Sequence, residues 1–178
     1  MPIDALQQYG FIFSYFIDRL EKHSRKQGFP NLGLLDYDDL LRRCDHPVQV
    51  TYWIARGANV NSQTSKGCTP LMLACMGYSP CSTELVQALI DAGANVNAID
   101  KYRQTALFYT IESESIDLIR LLLKRGANIN HEDDLGRNVL LFAINCCAEV
   151  DMIKLLLRHQ AKDKRGKAKR YLARILEE

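Results

Sequence analysis

The sequence predicts an all-α solenoid in which similar helix pairs stack side by side. One phrase, Gly-Ala-Asn-Val/Ile-Asn, occurs three times, at residues 57–61, 93–97 and 126–130. Its glycines are 36 and then 33 residues apart, and a period in the thirties is typical of stacked supersecondary units. An apolar run of helical character precedes each phrase. These runs are Val48 to Ile54, Leu85 to Ile90 and Ile116 to Leu123.

The phrase itself predicts how each unit ends. Glycine directly after an apolar helical run suits a helix C-cap, because it takes the left-handed conformation without a Cβ penalty. The asparagines of the phrase, which include Asn61, Asn97 and Asn130, suit a turn into a projecting finger. We therefore expect each unit to close with a capped helix and a finger.

Residues 1–26 are predicted to form a helix. Up to Leu20 it is apolar almost all round and must be buried on more than one side, whereas residues 21–26 are expected to be solvated. The glycines and the proline of residues 27–34 then break the chain and form a connector. We expect the helix to pack over the first repeat and close the exposed end of the core, since the open end of a solenoid needs a cover. Docking a partner, dimerisation and contact with a membrane surface remain alternatives.

The first helix pair, residues 35–56, is interpreted as a capping repeat. Its first helix is predicted at Asp36 to Arg43. Asp45 is a candidate N-cap for the second helix, with Pro47 near the first turn. The pair lacks the Thr-Pro-Leu sequence that opens the next unit, which is why it is assigned to the end of the stack.

Each of the next three units opens with a capping side chain and an apolar helix. In the first unit Thr69 is the predicted N-cap and Pro70 the first helical residue. The second unit opens at residues 103–110, and in the third Asn138 replaces threonine as the cap. The first unit is three residues longer than the second, and the extra residues fall at 77–82, between its helices.

The last unit is truncated. Its second helix is predicted at Val150 to Arg158, and Gln160 stands where glycine is expected. The chain that follows is too short for a full finger, and Lys167 to Leu176 is predicted to be a final helix that faces water as a cap. The basic residues 162–170 suit this solvated cap, with a nuclear address or a phosphate-binding patch as alternatives.

Gly-x-Thr-Pro-Leu-x-x-Ala at residues 67–74, an apolar second helix and the Gly-Ala-Asn-Val-Asn phrase together resemble the ankyrin repeat, over about residues 35–178. The resemblance implies two antiparallel helices per repeat and a short β-hairpin finger set across them. The implied organisation is an N-terminal helix and connector (1–30) followed by an ankyrin-repeat domain (31–178). That domain would contain a capping repeat (35–61), repeats at 62–97, 98–130 and 131–163, and a C-terminal cap helix (164–178).

Composition narrows the function class. Hydrophobic residues make up 47% of the chain, charged residues 25%, and the formal net charge of +2 argues against a strongly basic nucleic-acid binder. No signal-peptide pattern is present, and no apolar run approaches the roughly 20 residues that span a bilayer. The six cysteines form no C-x-x-C pair and the four histidines show no ligand spacing. We therefore expect free thiols in a reducing cytoplasm, no metal and no cofactor.

Patterns of catalysis are also missing from the sequence, which has no glycine-rich phosphate loop, no H-E-x-x-H and no nucleophile elbow. Cys44, Asp45 and His46 are adjacent, but they fall at a turn within the capping repeat. Thiol-enzyme sites are assembled by the fold rather than by adjacency in sequence. We therefore predict that the protein is not an enzyme.

The predicted function is binding of a partner protein, as a scaffold or adaptor. The repeats bury their apolar residues against one another, so the fingers and the near face of the first helices remain as one concave surface. Tyr102 is the predicted central anchor, because an aromatic residue with charged neighbours is the usual make-up of an interface hot spot. Met76, Ile99 and Leu135 are further apolar residues that we expect to see water. The partner-facing residues that the resemblance implies are Gln63, Ser65, Lys66, Cys68, Met76, Ile99, Lys101, Tyr102, Gln104, Glu112, Glu132, Asp134, Leu135, Arg137 and Asn145.

Two other functions fit the same fold. A microbial or viral effector would inhibit a host protein by binding it in the host cytoplasm. A structural protein would self-assemble through the N-terminal aromatic helix, whereas a scaffold is expected to be a monomer. The acidic residues 132–134 on the third finger suit either contact with a basic partner or a solvated loop.

Overall fold

The computed structural model describes residues 37–77, 82–163 and 166–176. The predicted N-terminal helix and its connector, and most of the extra residues at 77–82, lie outside this range. None of the helices in the described part is both long and apolar enough to cross a bilayer. The helices are α1 (Tyr37–Arg42), α2 (Pro47–Ala55), α3 (Pro70–Cys75), α4 (Ser82–Asp91), α5 (Ala106–Glu112), α6 (Ile116–Lys124), α7 (Val139–Asn145), α8 (Val150–Arg158) and α9 (Lys167–Leu176).

The helices form two rows, as expected for a solenoid. The first helices of the units, α1, α3, α5, α7 and α9, pack on one another in chain order. In the second row α2 packs on α4 and α4 on α6, and each second helix also packs on the first helix of its own unit. Each unit therefore contacts its neighbours in sequence, and α9 occupies the place of a further first helix against α7.

The core lies between the two rows. Equivalent leucines of the three first helices, Leu71, Leu107 and Leu140, are each 1% exposed. Phe108 and Phe142 meet edge to face with ring centroids 5.4 Å apart, which joins neighbouring units. Burying one such side chain contributes about 1.5–3 kcal/mol, so stability is spread over the stack rather than held in one unit.

The helix caps follow the predicted chemistry with one correction. The hydroxyl of Thr69 accepts from the Met72 N–H at the start of α3, and Asn138 Oδ1 accepts from Leu141 N–H at 3.0 Å at the start of α7. The prediction that Asp45 caps α2 is wrong. His46 is the cap and its Nδ1 accepts from the Val48 N–H at 3.2 Å, because Pro47 takes the first helical position.

Each second helix ends in the same way. Gly57, Gly93 and Gly126 have φ between 86° and 93°, and the alanine after each donates back to the helix, as Ala58 N–H does to Trp53 O at 3.0 Å. Gln160 takes the same left-handed place with φ 64°. A side chain there costs about 1–2 kcal/mol relative to glycine, yet the helix closes with the same hydrogen bond.

Candidate partner-binding surface

Three fingers project between consecutive units, and we number them finger 1 (residues 62–68), finger 2 (98–104) and finger 3 (131–137). No β-strand occurs within the described ranges, so the fingers are tight hairpin-like turns. Thr64, Asp100 and Asp133 occupy equivalent positions. One side-chain oxygen of each accepts the backbone N–H groups two and four residues ahead, at 2.8–3.3 Å. This bonding holds each finger in one shape.

Fingers 2 and 3 differ in the partner of the second carboxylate oxygen, Oδ2, of Asp100 and Asp133. Asp100 Oδ2 accepts from the Tyr109 hydroxyl at 2.6 Å. Asp133 Oδ2 accepts from Arg137 Nε at 2.8 Å and lies 2.7 Å from a second guanidinium nitrogen of the same residue. Both aspartates are buried. Burial and the hydrogen bond to Asp100 raise the pKa of the Tyr109 hydroxyl well above its ordinary value, so Tyr109 donates and remains neutral.

The burial of Asp133 bears on the acidic run at 132–134. Its side chain is fully enclosed and paired with Arg137, so its charge is not available to a basic partner. Glu132 is half-buried, and Asp134 is exposed. Finger 3 therefore presents less negative charge to solvent than its sequence suggests, because one carboxylate is used inside the finger.

The prediction that Cys68 faces a partner is wrong. It is 6% exposed, and its sulfur lies 3.5 Å from the Tyr109 hydroxyl. Because that hydroxyl gives its proton to Asp100, the thiol is the donor to it. Cys68 lies at the base of finger 1 against the next unit, and a buried side chain there cannot reach a partner.

The remaining predicted residues divide by exposure. Met76, which packs against the core, is half-buried together with Gln104, Glu132 and Arg137. The exposed residues are Gln63, Ser65, Lys66, Ile99, Lys101, Tyr102, Glu112, Asp134, Leu135 and Asn145. Most of the exposed residues lie on the fingers rather than on the helices.

Backbone hydrogen bonds join the three fingers into one row. Lys101 N–H donates to Lys66 O at 3.1 Å, and Asp134 N–H donates to Tyr102 O at 3.1 Å. The close approach is visible at Gly67, where an added Cβ would lie 3.0 Å from Lys101 N. The row therefore presents the tips of fingers 1, 2 and 3 in fixed order.

Three large apolar side chains are exposed on this row, and we call them the tip patch. They are Ile99, Tyr102 and Leu135, with 39%, 56% and 67% of their surface exposed. Within the described part of the chain these are the only exposed large hydrophobic residues. Their predicted exposure is confirmed, and the apolar surface that the core leaves uncovered is concentrated on fingers 2 and 3.

Arg103 belongs to the same surface, although the sequence did not single it out. It is exposed and has φ 58°, in the position where fingers 1 and 3 have Gly67 and Gly136. A non-glycine residue in this conformation costs about 1–2 kcal/mol. The sequence could have identified Arg103, because it aligns with two glycines of the other repeats.

The last asparagine of each phrase holds neighbouring units together. Asn97 Oδ1 accepts from Asn128 N–H at 2.8 Å, and its Nδ2 donates to Gly126 O at 3.0 Å. Asn61 makes the same pair of bonds to the next phrase, and Asn130 makes them to the Gln160 phrase. We call these bonds the asparagine ladder, which fixes the bases of the fingers. The turn is shaped instead by the first asparagine, as Asn95 Oδ1 accepts from Asn97 N–H.

The Cys44-Asp45-His46 group does not form a nucleophilic site. Burial and then the charge of Asp45 raise the pKa of the Cys44 thiol to about 12, which disfavours the reactive thiolate. His46 uses Nδ1 to cap α2. A base and an activated thiol are thus not combined at this turn.

The sequence is similar to known proteins in the region that carries these fingers. The family model described as Ankyrin repeats (3 copies) matches residues 42–133, just over half of the chain. An ankyrin repeat protein of Acanthamoeba polyphaga mimivirus is 41% identical over 61 residues. That alignment covers 33% of this chain and 38% of the viral protein, so the chain matches well under half of that relative's length.

Proposed function

Because the chain belongs to the ankyrin-repeat family, whose repeats are protein–protein interaction modules, we propose that it binds a partner protein across the tips of its fingers, without catalysing a reaction. The single observation that carries the proposal is the tip patch. The described residues bury their other large apolar side chains at least partly and leave Ile99, Tyr102 and Leu135 in water on two adjacent fingers. Apolar and aromatic side chains of this kind form the centres of protein interfaces.

Tyr102 is the proposed anchor, because its backbone is held on both sides. Its N–H donates to Asp100 Oδ1 at 2.8 Å and its carbonyl accepts from Asp134 N–H at 3.1 Å. The side chain is thus presented from a rigid loop while 56% of its surface remains exposed. A preorganised aromatic side chain loses little conformational entropy on binding, which favours affinity.

Affinity capture with the full-length chain, followed by titration calorimetry on the identified partner, tests this proposal. Tyr102→Ala is expected to weaken binding by at least about 1 kcal/mol, which is roughly fivefold, and adding Leu135→Ala is expected to abolish capture. Arg120→Ala is the matched control, since Arg120 is exposed on α6 among the second helices. Equal capture by the double variant, with its circular dichroism unchanged, would rule the tip patch out.

Inhibition of a host protein is a second candidate, favoured by the similarity to a viral ankyrin repeat protein. The same partner surface would serve it. The captured partner's own activity is then assayed with and without this protein. A fall in activity that the Tyr102→Ala variant does not cause would support an inhibitor, and unchanged activity would support a scaffold.

We place the function in the cytoplasm, since the described cysteines Cys44, Cys68, Cys75, Cys146 and Cys147 are free thiols, which suit a reducing compartment. We also propose a monomer, with self-assembly through residues 1–26 as the alternative. Light scattering over a range of concentrations separates them. A mass that rises with concentration would contradict the monomer.

A further inference from the structure

We infer that the partner presents to the finger row a segment with acidic residues at one end and a large apolar side chain next to them, the acidic end lying over fingers 1 and 2. The inference rests on the proposed function and adds the chemistry and direction of the partner segment. It is carried by the charges on the three tips and by the presence of Arg103 where the other two fingers have glycine.

Fingers 1 and 2 carry three exposed cations, Lys66, Lys101 and Arg103. No ion pair joins any of them to another described residue. Arg137 on finger 3 differs, since its guanidinium already binds Asp133. Among the Lys and Arg side chains of the three fingers, those around Tyr102 are therefore the ones free to meet carboxylates of a partner.

These cations are also close to one another. The hydrogen bond from Lys101 N–H to Lys66 O places the two lysines on adjoining backbone, and Arg103 lies on the other side of Tyr102. Like charges in such an arrangement raise the local positive potential, which a carboxylate of the partner would relieve. An apolar residue next to that carboxylate would then reach the tip patch.

The position of Arg103 supports the same conclusion. The equivalent residues of the other fingers are Gly67 and Gly136, which take the left-handed conformation without strain. Finger 2 keeps an arginine there at φ 58°. Glu114, Cys147 and Gln160 have similar φ values, so the conformation alone does not mark a binding residue. What distinguishes Arg103 is that it adds a charge beside the anchor that glycine would not.

The sign of the charge changes at finger 3, which sets the direction. Asp134 is exposed there, and its N–H is bonded to the Tyr102 carbonyl. A segment that is acidic throughout would be repelled at this end of the row. The favoured segment therefore has acidic residues over Lys66 and Lys101 and an apolar residue at Tyr102. The residues that follow, over Asp134, are neutral or basic.

Nucleic acid is disfavoured as the occupant of the same cations. Binding of a phosphate backbone gains its affinity from many neutralised phosphates, whereas this row offers three cations together with Asp134 and the apolar tip patch. A random single-stranded oligonucleotide serves as the probe for this alternative.

The test is selection of short random displayed peptides on the full-length protein, with Tyr102→Ala used to discard binders that ignore the anchor. We expect the selected peptides to carry Asp or Glu on one side of an aromatic or large aliphatic residue. Lys66→Glu combined with Lys101→Glu is expected to weaken these peptides at least about tenfold and to select basic peptides instead. Arg120→Glu with Lys154→Glu, on the second helices, matches the change in net charge and is expected to have no such effect.

Arg103→Gly separates binding from folding. It removes the left-handed strain, so the melting temperature is expected to stay the same or rise, while the selected peptides bind at least about fivefold more weakly. If Arg103 serves folding alone, Arg103→Gly will bind the selected peptides with unchanged affinity. That result would overturn the part of Arg103 in the inference.

The outcomes distinguish the two proposals. If selection yields no binder that depends on Tyr102, the proposed function fails and the inference fails with it. Binders that depend on Tyr102 but lack acidic enrichment, or that ignore the lysine reversal, overturn the inference alone. Oligonucleotide binding that falls with the lysine reversal but not with Tyr102→Ala overturns it in favour of a polyanion.

Discussion

Fingers 2 and 3 have the same turn and differ in the group that reaches the second carboxylate oxygen. Asp100 and Asp133 each accept two backbone N–H groups through Oδ1. In finger 2 the other oxygen receives a hydroxyl proton from Tyr109, a residue of the following helix. In finger 3 it receives the guanidinium of Arg137, a residue of the same finger.

The difference shows that one turn can be stabilised by two kinds of chemistry. The hydroxyl of Tyr109 can donate or accept, whereas a guanidinium can only donate. Finger 2 is therefore tied to the helix beneath it by a group with adaptable hydrogen bonding. Finger 3 uses a charge pair inside itself, which consumes the one cation that its tip could have offered to a partner.

Replacing each aspartate by asparagine gives the largest contrast. Asparagine keeps an oxygen for the two backbone N–H groups but places an NH₂ opposite the former partner. The Tyr109 hydroxyl can accept from that NH₂, and Arg137 cannot. We expect Asp133→Asn to lower the free energy of unfolding by about 2 kcal/mol and Asp100→Asn by about 1 kcal/mol or less. The loss at Asp133 is no larger because the side chain of Arg137 is partly solvated and recovers some hydration.

Urea denaturation of both variants measures these free energies, with the m-value as a check on two-state behaviour. Equal losses, or a larger loss in finger 2, would mean that the identity of the second partner does not matter and that the two fingers are energetically alike.

Alkaline pH is expected to lower the free energy of unfolding through Tyr109, by less than the Asp133→Asn substitution does. Burial and the hydrogen bond to Asp100 raise the pKa of this hydroxyl in the folded state. Its contribution is therefore fully present below the unfolded value of about 10 and declines as the pH rises above it, by about 1.4 kcal/mol per pH unit. Between pH 8 and 11 the wild type should lose about 1.4 kcal/mol more stability than Tyr109→Phe.

The comparison uses urea denaturation at both pH values, so that the other ionising groups cancel between the two proteins. Finger 3 has Phe142 at the equivalent helical position and no such hydroxyl. Parallel losses in the wild type and in Tyr109→Phe would show that the hydroxyl ionises at its ordinary pKa.

Cys68 is expected to give the smallest effect. Its thiol is a weak donor to the Tyr109 hydroxyl, and its sulfur fills a buried space at the base of finger 1. Cys68→Ala should cost under about 1 kcal/mol, and Cys68→Ser a similar amount, because the shorter Cβ–Oγ bond carries the hydroxyl away from the Tyr109 oxygen. Thermal unfolding measures both. A loss above about 2 kcal/mol for Cys68→Ala would contradict this expectation. It would mean that the hydrogen bond between Tyr109 and Asp100 depends on the thiol.

The fold could be predicted because its signals are local. Thr69 and Asn138 are capping residues at the start of apolar helices, and both cap as predicted. Gly57, Gly93 and Gly126 close the second helices with left-handed backbone. Each of these choices depends on residues within a turn or two, which a single sequence displays directly.

The surface was predicted less well, because the repeat pattern assigns positions and not partners. Ile99, Tyr102 and Leu135 are exposed as predicted, and their role in binding stays a prediction. Cys68 occupies the same position as Arg137, yet it is buried by Tyr109, which lies 41 residues further along the chain. A contact between units of this kind is invisible in the sequence.

The cap of α2 was missed for a local reason. Asp45 and His46 both precede Pro47, and aspartate is the commoner cap. The prediction placed Pro47 only near the first turn, whereas it is the first helical residue, which leaves His46 as the cap. The N–H of Asp45 instead donates to Gln49 Oε1 at 3.1 Å.

The asparagine ladder decides where this chain can change length. Asn61 binds the N–H of Asn95 and the carbonyl of Gly93, two residues apart in the next phrase, and Asn97 repeats this pattern. One residue added inside a phrase would shift both partners and break the bonds on each side of it. The bonds of the ladder lie within the phrases, and the extra residues of the first unit fall elsewhere in the sequence, between α3 and α4. A new loop inserted there would extend the protein without disturbing the order of its fingers.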